Sequence, residues 1–196
     1  MPVTITELVG KFAGIIVALS FVPYITSILR RKTSPNRASW FIWTSTNFLI
    51  LGSYYLSGAK STVFLPLAFA VGSSMIAILS IWYGDGGWTL LDRFCLIVVG
   101  LSIALWFLLK TPQAVLFVGI LNGLLGTLPT IKKSYLRPQT ESKLAWGMCF
   151  IGSIANIIAI DNWSFSIVIY TVSIFFEVGI IVFLLFLCPH RVMAKS

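Results

Sequence analysis

The sequence predicts an all-α integral membrane protein of seven transmembrane helices, built as two parallel three-helix repeats joined by a linker helix. Three observations predict it. The 196 residues are 58% hydrophobic and only 10% charged, with a mean hydropathy of +0.95, far more apolar than a soluble domain. Charge-free stretches recur at about the 20 residues that cross a bilayer core. Finally, the segment from Pro23 to Trp40 returns without a gap 106 residues later, from Pro129 to Trp146. Pro, Ile25/Ile131, Arg31/Arg137 and Trp are identical between the copies, and Arg37 matches Lys143. Each copy leaves one apolar segment, passes a short basic loop and enters the next at a Trp, which marks a duplicated helical unit.

In chain order the apolar stretches are Phe12–Leu29, Ala38–Ala59, Ser61–Gly84, Phe94–Leu109, Thr111–Ile131 and Leu144–Ile160. The seventh, Asn162 to His190, is interrupted by Glu177 alone. The fourth reaches spanning length when extended back to Leu90. The first has its basic cluster after it and no small-residue cleavage site, so it reads as a retained helix rather than a signal peptide.

Lys and Arg in the loops set the orientation. With the N-terminus outside, eleven of the fourteen basic residues are cytoplasmic, and only Lys11, Lys60 and Lys110 are outside. The chain is therefore expected to be multi-pass, in the inner membrane if the cell is bacterial, with the N-terminus out and the C-terminus in. The net charge of +8 does not point to nucleic acid, because the basic residues flank apolar spans, where a membrane protein keeps them. The expected partners are the lipid bilayer and a small-molecule solute; homo-oligomerisation is left open.

On this map residues 1–84 form the first three-helix repeat, 85–110 a cytoplasmic turn and the linker helix, 111–190 the second repeat, and 191–196 a cytoplasmic tail. A three-span unit would be inverted in its second copy. The odd fourth span restores the direction, giving parallel repeats with the solute path between them.

Enzymatic chemistry finds no footing. The chain has no Gly-rich phosphate loop, no His/Cys/carboxylate cluster and no Ser/His/Asp set, so no catalytic residue, cofactor or metal is expected. Cys95, Cys149 and Cys188 read as reduced apolar fillers, and His190 as a headgroup-level residue. Gly84, Gly86 and Gly87 around Asp85 read as a turn. A retinal protein is excluded because the last span lacks the Lys for a Schiff base.

Polar groups inside the spans supply the candidate site. Pro23 and Pro129 each remove a helix hydrogen bond near the end of a span, and their equivalence in the repeats marks them as hinges. Asn122 shares a face with Gly126 and Pro129. Trp40, Trp43 and Asn47 share a face of the second span, as do Trp146, Cys149, Ser153 and Asn156 of the sixth. The tryptophans read either as headgroup anchors or as cavity wall, and Asn47 and Asn156 either as glue between helices or as ligand contacts. The seventh span carries one stripe, Ser166, Tyr170, Ser173 and Glu177, with Glu177 near mid-membrane. An ionisable group at that depth is a functional-site candidate, with interhelical glue as its alternative. With no Lys or Arg at its depth, desolvation favours the protonated carboxyl.

Pro23-x-Ile25, followed by Lys32-Thr33-Ser34 and Ser39, resembles the PQ-loop motif of the SWEET and PQ-loop superfamily of small transporters. Seven spans in a 3+1+3 plan with the motif ending spans 1 and 5 are similar to that superfamily over nearly the whole chain. The motif's Gln is Tyr24 in the first copy and Thr130 in the second. Ser73 and Ser74 stand where sugar-transporting members carry an asparagine on the third helix. Trp40, Trp43 and Asn47 look like the aromatic and amide set of the related nicotinamide-riboside transporters. The resemblance implies alternating access by two three-helix bundles, and Glu177 suits the proton-coupled members.

The expected function is transport of a small polar solute (sugar, amino acid or nucleoside-like), possible proton coupling included. Trp43, Asn47, Asn122, Asn156, Tyr170, Ser173 and Glu177 are the candidate binding residues. A receptor or sorting protein of the same fold is the alternative, and a scaffold without a solute a third. For the topology, single cysteines at Gly58 and Asn162 are expected to react with an impermeant thiol reagent in sealed cells, and those at Asn36 and Thr140 to stay unlabelled. Labelling at Asn36 would reverse the orientation.

Overall fold

The structure, a computed structural model, describes residues 4–85, 89–109 and 112–187. Seven α-helices account for most of them: α1 (Ile5–Leu29), α2 (Arg37–Leu56), α3 (Phe64–Tyr83), α4 (Leu90–Leu109), α5 (Pro112–Leu136), α6 (Lys143–Ile158) and α7 (Phe165–Leu187). An isolated parallel bridge between Asn36 and Asp85 is the only β pairing among the described residues.

Local chemistry explains the boundaries. The Thr4 side chain caps α1 by accepting from the Glu7 N–H, and Glu7 pairs with Lys11 one turn on at 2.7 Å. Two residues past the end of α1 the chain turns at Arg31, whose φ of 55° lies in the left-handed region. Asn36 and Ser142 cap α2 and α6 in the same way, accepting from Ser39 and Ala145, and they stand at equivalent positions of the repeat. α2 closes at Gly58, whose φ of +87° suits a residue without Cβ. Thr89 and Asp92 form a reciprocal cap on α4, and α5 begins with Pro112, whose fixed φ suits a first helical position.

The helices pair identically in the two halves. α3 packs against both α1 and α2, and α7 against both α5 and α6. The halves meet through α1 on α6 and α2 on α5, while α4 lies outside this scheme against α5 and α2. Arg37, the first residue of α2, donates to the Ser80 and Ile81 carbonyls at the end of α3. Lys143, the first residue of α6, stands 5.5 Å from the Phe186 ring near the end of α7. The α1–α2 and α5–α6 loops thus share one end of the bundle, the basic end, and the α2–α3 and α6–α7 loops share the other.

Close approach is made by small residues. A Cβ on Gly10 would strike the Ser61 carbonyl, and one on Gly14 would come within 2.6 Å of the Phe64 Cβ, so α1 lies directly on the start of α3. Gly152 gives α6 the same intimacy with Val17 and Ile16 of α1. Polar side chains turn inward, many hydroxyls bonding back to their own helix as Ser20 does to Val17 at 2.6 Å. Large apolar side chains such as Ile15, Ile97, Leu101 and Phe183 face out. This is the arrangement a lipid solvent demands.

Three helical stretches, Ile5–Leu29, Ser61–Tyr83 and Phe165–Leu187, are long and apolar enough to cross a membrane, and α6 is a shorter apolar helix. Two expected spans have other limits. α1 starts seven residues earlier than its charge-free stretch, because the Glu7–Lys11 pair is accommodated on its surface. α5 runs past Ile131 to Leu136 and carries Lys132 and Lys133 as helical residues. Lys110, Cys188, His190, Gly86, Gly87 and the 191–196 tail lie outside the described residues. Asn36 is buried as a cap, so exposed Lys32 and Gln139 are the better labelling positions at the basic end.

The α1–α3 contact yields a stability test. Gly14→Val is expected to destabilise the protein by about 1–3 kcal/mol, since the backbone it meets cannot yield. Gly147→Ala, on α6 with nothing within 4 Å of the added Cβ, is expected to be neutral or stabilising by up to about 1 kcal/mol. Melting curves of the purified variants decide it; an unchanged Gly14→Val curve would contradict the close approach.

Candidate functional site at the interface of the two halves

A cavity of about 60 Å³ lies between the halves, walled by α1, α2, α3, α5, α6 and α7. At about 15 Å³ for each water it has room for a few water-sized groups.

Aromatic rings close its basic side. Trp43 stacks edge-on against Trp40 at 5.1 Å and against Trp146 at 6.0 Å, and Tyr24 stands 5.2 Å from Trp40. Trp40 and Trp146 are each 6% exposed, which decides between the two readings of the sequence: they are wall, not headgroup anchors. Trp43 donates its indole N–H to the Gly123 carbonyl at 3.3 Å, fixing α2 to α5.

Beyond the rings, polar contacts tie the halves together. Glu141 Oε2 accepts from the Tyr24 hydroxyl at 2.8 Å and the Trp146 indole at 2.9 Å, while Oε1 pairs with Lys133 Nζ at 2.6 Å. Lys133 also donates to the Ser34 and Thr140 carbonyls, and the Ser34 N–H donates to Thr140 across the loops. Thr130 donates to Ser39 at 2.9 Å. Tyr24 and Thr130 directly follow Pro23 and Pro129, so in both repeats the residue after the proline reaches into the other half. α1 and α5 run unbroken through these prolines. At the opposite end Ser61 donates to Asp161 through Oγ at 2.6 Å and N–H at 3.3 Å, and Tyr54 and Thr171 share a 3.1 Å hydrogen bond.

Lys133 and Glu141 were not legible as site residues. Lys133 counts in the sequence as one more of the cytoplasmic basic residues, and Glu141 is not singled out at all. Their buried pairing contradicts that reading of Lys133. The available signal was their position on either side of the Pro138-Gln139 turn, close enough to bridge it.

Of the sequence candidates, Trp43, Asn47, Tyr170, Ser173 and Glu177 line the cavity. Glu177, 6% exposed, accepts from the Thr127 hydroxyl at 3.0 Å and lies against bare Gly123, where a Cβ would stand 3.1 Å from its Oε1. Thr127 has one hydroxyl proton and a second acceptor, the Gly123 carbonyl, at 2.9 Å. Asn47 donates to Ser73 at 3.2 Å and Ser173 to the Tyr170 carbonyl at 2.8 Å. The buried hydroxyls of Tyr170 and Thr46, both in the lining, have no hydrogen-bond partner. Asn122 and Asn156 are buried but outside the cavity lining, and both amide atoms of Asn156 are unpartnered. Their helical faces turn to neighbouring helices instead of the central space.

No group of three or more His, Cys, Asp or Glu side chains gathers among the described residues, and the thiols of Cys95 and Cys149 are free. Comparison of the chain with protein-family models, curated proteins and solved structures finds no match.

The Glu141 centre makes a sharp expectation. Removing the carboxylate alone leaves Lys133 buried and unpaired, so Glu141→Leu is expected to destabilise by about 3–5 kcal/mol. Replacing both, Lys133→Met with Glu141→Leu, is expected to recover most of that loss. Chemical denaturation of the two variants tests this; a double variant no more stable than Glu141→Leu would show that the unpaired lysine charge is not what the single variant suffers from.

Proposed function

We propose that the chain is a multi-pass membrane transporter, a divergent relative of the SWEET and PQ-loop superfamily, that moves a small polar solute by alternating access. Seven spans, the N-terminus outside and parallel three-helix repeats belong to this reading. Its carrying observation is the cavity between two identically paired halves, tied across at both ends and holding a buried carboxyl with a single hydroxyl partner. Parting the Glu141 network opens the basic end; parting Ser61 from Asp161 opens the other. Pro23 and Pro129 are the hinges, since the bonds that part begin one residue beyond them.

Two features favour transport over the other readings. A receptor for an anionic peptide tail calls for basic residues in the cavity, and none lines it among the described residues. A scaffold calls for a dry, satisfied interface, whereas Tyr170 and Thr46 keep unpartnered hydroxyls there. Asn122 and Asn156 lie outside the lining and are no part of the solute site in this conformation.

Proton linkage follows from Glu177. It holds a proton or a cationic solute in one state and exchanges it in the other, with Thr127 as the fixed partner. In proteoliposomes, solute uptake is expected to vary between about pH 5 and pH 8, which spans normal and perturbed Glu values. Glu177→Gln is expected to flatten that profile. A variant that keeps both the rate and its pH profile would reduce Glu177 to interhelical glue.

A further inference from the structure

We propose that the solute is a small monoamine bound as its ammonium ion, between the Glu177 carboxylate and the aromatic faces of Trp43 and its neighbours. This rests on the transport reading and names its substrate class. Three observations converge on it.

The first is charge. Glu177 is the only carboxylate among the described residues lining the cavity, and no Lys, Arg or His accompanies it. A buried charge without a counter-ion is expensive, so the site is complementary to a cation and has nothing to neutralise a carboxylate or phosphate. Amino acid zwitterions and nucleotides are excluded on that ground. The Thr127 proton is shared between Glu177 and the Gly123 carbonyl, so the carboxylate keeps acceptor capacity for an ammonium donor.

The second is the wall. Trp43 and Glu177 meet at the same residue, Gly123, the indole donating to its carbonyl and the carboxyl resting on its bare Cα. The aromatic group that Trp43 forms with Trp40, Trp146 and Tyr24 therefore stands beside the one acid of the lining, and aromatic faces attract ammonium ions.

The third is unmet hydrogen bonding. The Tyr170 and Thr46 hydroxyls are buried in the lining without a partner, and each presents a lone pair to a donor-rich, acceptor-free ammonium group. The limited free volume restricts the ligand to a few heavy atoms in this conformation.

The test titrates the purified full-length chain with ethylammonium chloride, acetamide, sodium acetate and glucose, following tryptophan fluorescence and melting temperature. Ethylammonium is expected to quench saturably and raise the melting temperature, while the other three do neither. Glu177→Gln is expected to weaken ethylammonium about tenfold or more, as removal of a buried charge partner does. Tyr170→Phe deletes a hydroxyl with no partner, so it should keep the melting temperature of the unliganded protein and still weaken ethylammonium. Absence of saturable ethylammonium binding, equal binding of acetamide or glucose, or unchanged affinity in both variants overturns the amine inference. Counterflow in proteoliposomes separates the two readings. Saturable glucose or acetamide counterflow without ammonium binding sinks the amine and leaves transport standing. Ethylammonium binding with no counterflow of it upholds the site and removes the transport reading.

Discussion

Three donors from separated parts of the chain converge on the carboxylate of Glu141: the Tyr24 hydroxyl from α1, the Lys133 ammonium from α5 and the Trp146 indole from α6. The rest of the bundle's basic end depends on it. Tyr24 brings the first half, Lys133 carries the Ser34 carbonyl and hence the α1–α2 loop, and Trp146 presents its ring to Trp43. A buried ion pair alone is weak support, since desolvation offsets its attraction. Here both carboxylate oxygens are engaged and the lysine has carbonyl acceptors as well, which is the condition under which such a pair holds.

This centre is also where the two halves differ. At the positions matching Lys133 and Glu141, the first repeat has Ser27 and Pro35. Its loop is held by other means: Ser27 shares a 2.6 Å hydrogen bond with Thr33, Asn36 donates to Asp92 of α4, and Asp85 pairs with Arg137 of the other half at 2.6 Å. The two halves share the helix pairing and the residue after each proline as the crossing point. The charges have diverged, so the ionic bonds of the basic end are not symmetric.

How much of this the sequence revealed depends on which direction of information each feature needs. The seven helices and the Tyr170–Ser173–Glu177 stripe are local patterns, read from spacing and residue type, and the structure has them. Helix ends near charges were less legible: α5 continues through Lys132 and Lys133 because a lysine with a fixed partner is no longer a loop residue. Asn122 and Asn156 show a different gap. Spacing assigns a residue to a face of its helix but not to the neighbour that face meets, and in both cases it meets another helix rather than the cavity. The tryptophans divided likewise, since membrane interface and protein interior both attract indoles, and only the packing of Trp40 and Trp146 on Tyr24 decides.

Glu141 and Glu177 set the same side chain in two buried environments, and the contrast says more than depth alone. An acid inside a membrane protein is a functional candidate by default because its charge is expensive there. Glu141 meets that expense with a lysine and two neutral donors, which engage both of its oxygens and tie α1, α5 and α6 together. Glu177 has one hydroxyl whose proton is also within reach of a carbonyl, and it borders free space. The number of partners, rather than burial, separates the acid that ties helices together from the acid that keeps unused acceptor capacity beside a cavity. By that measure the Tyr170 and Thr46 hydroxyls belong with Glu177: all three border the cavity, and the two hydroxyls have no hydrogen-bond partner.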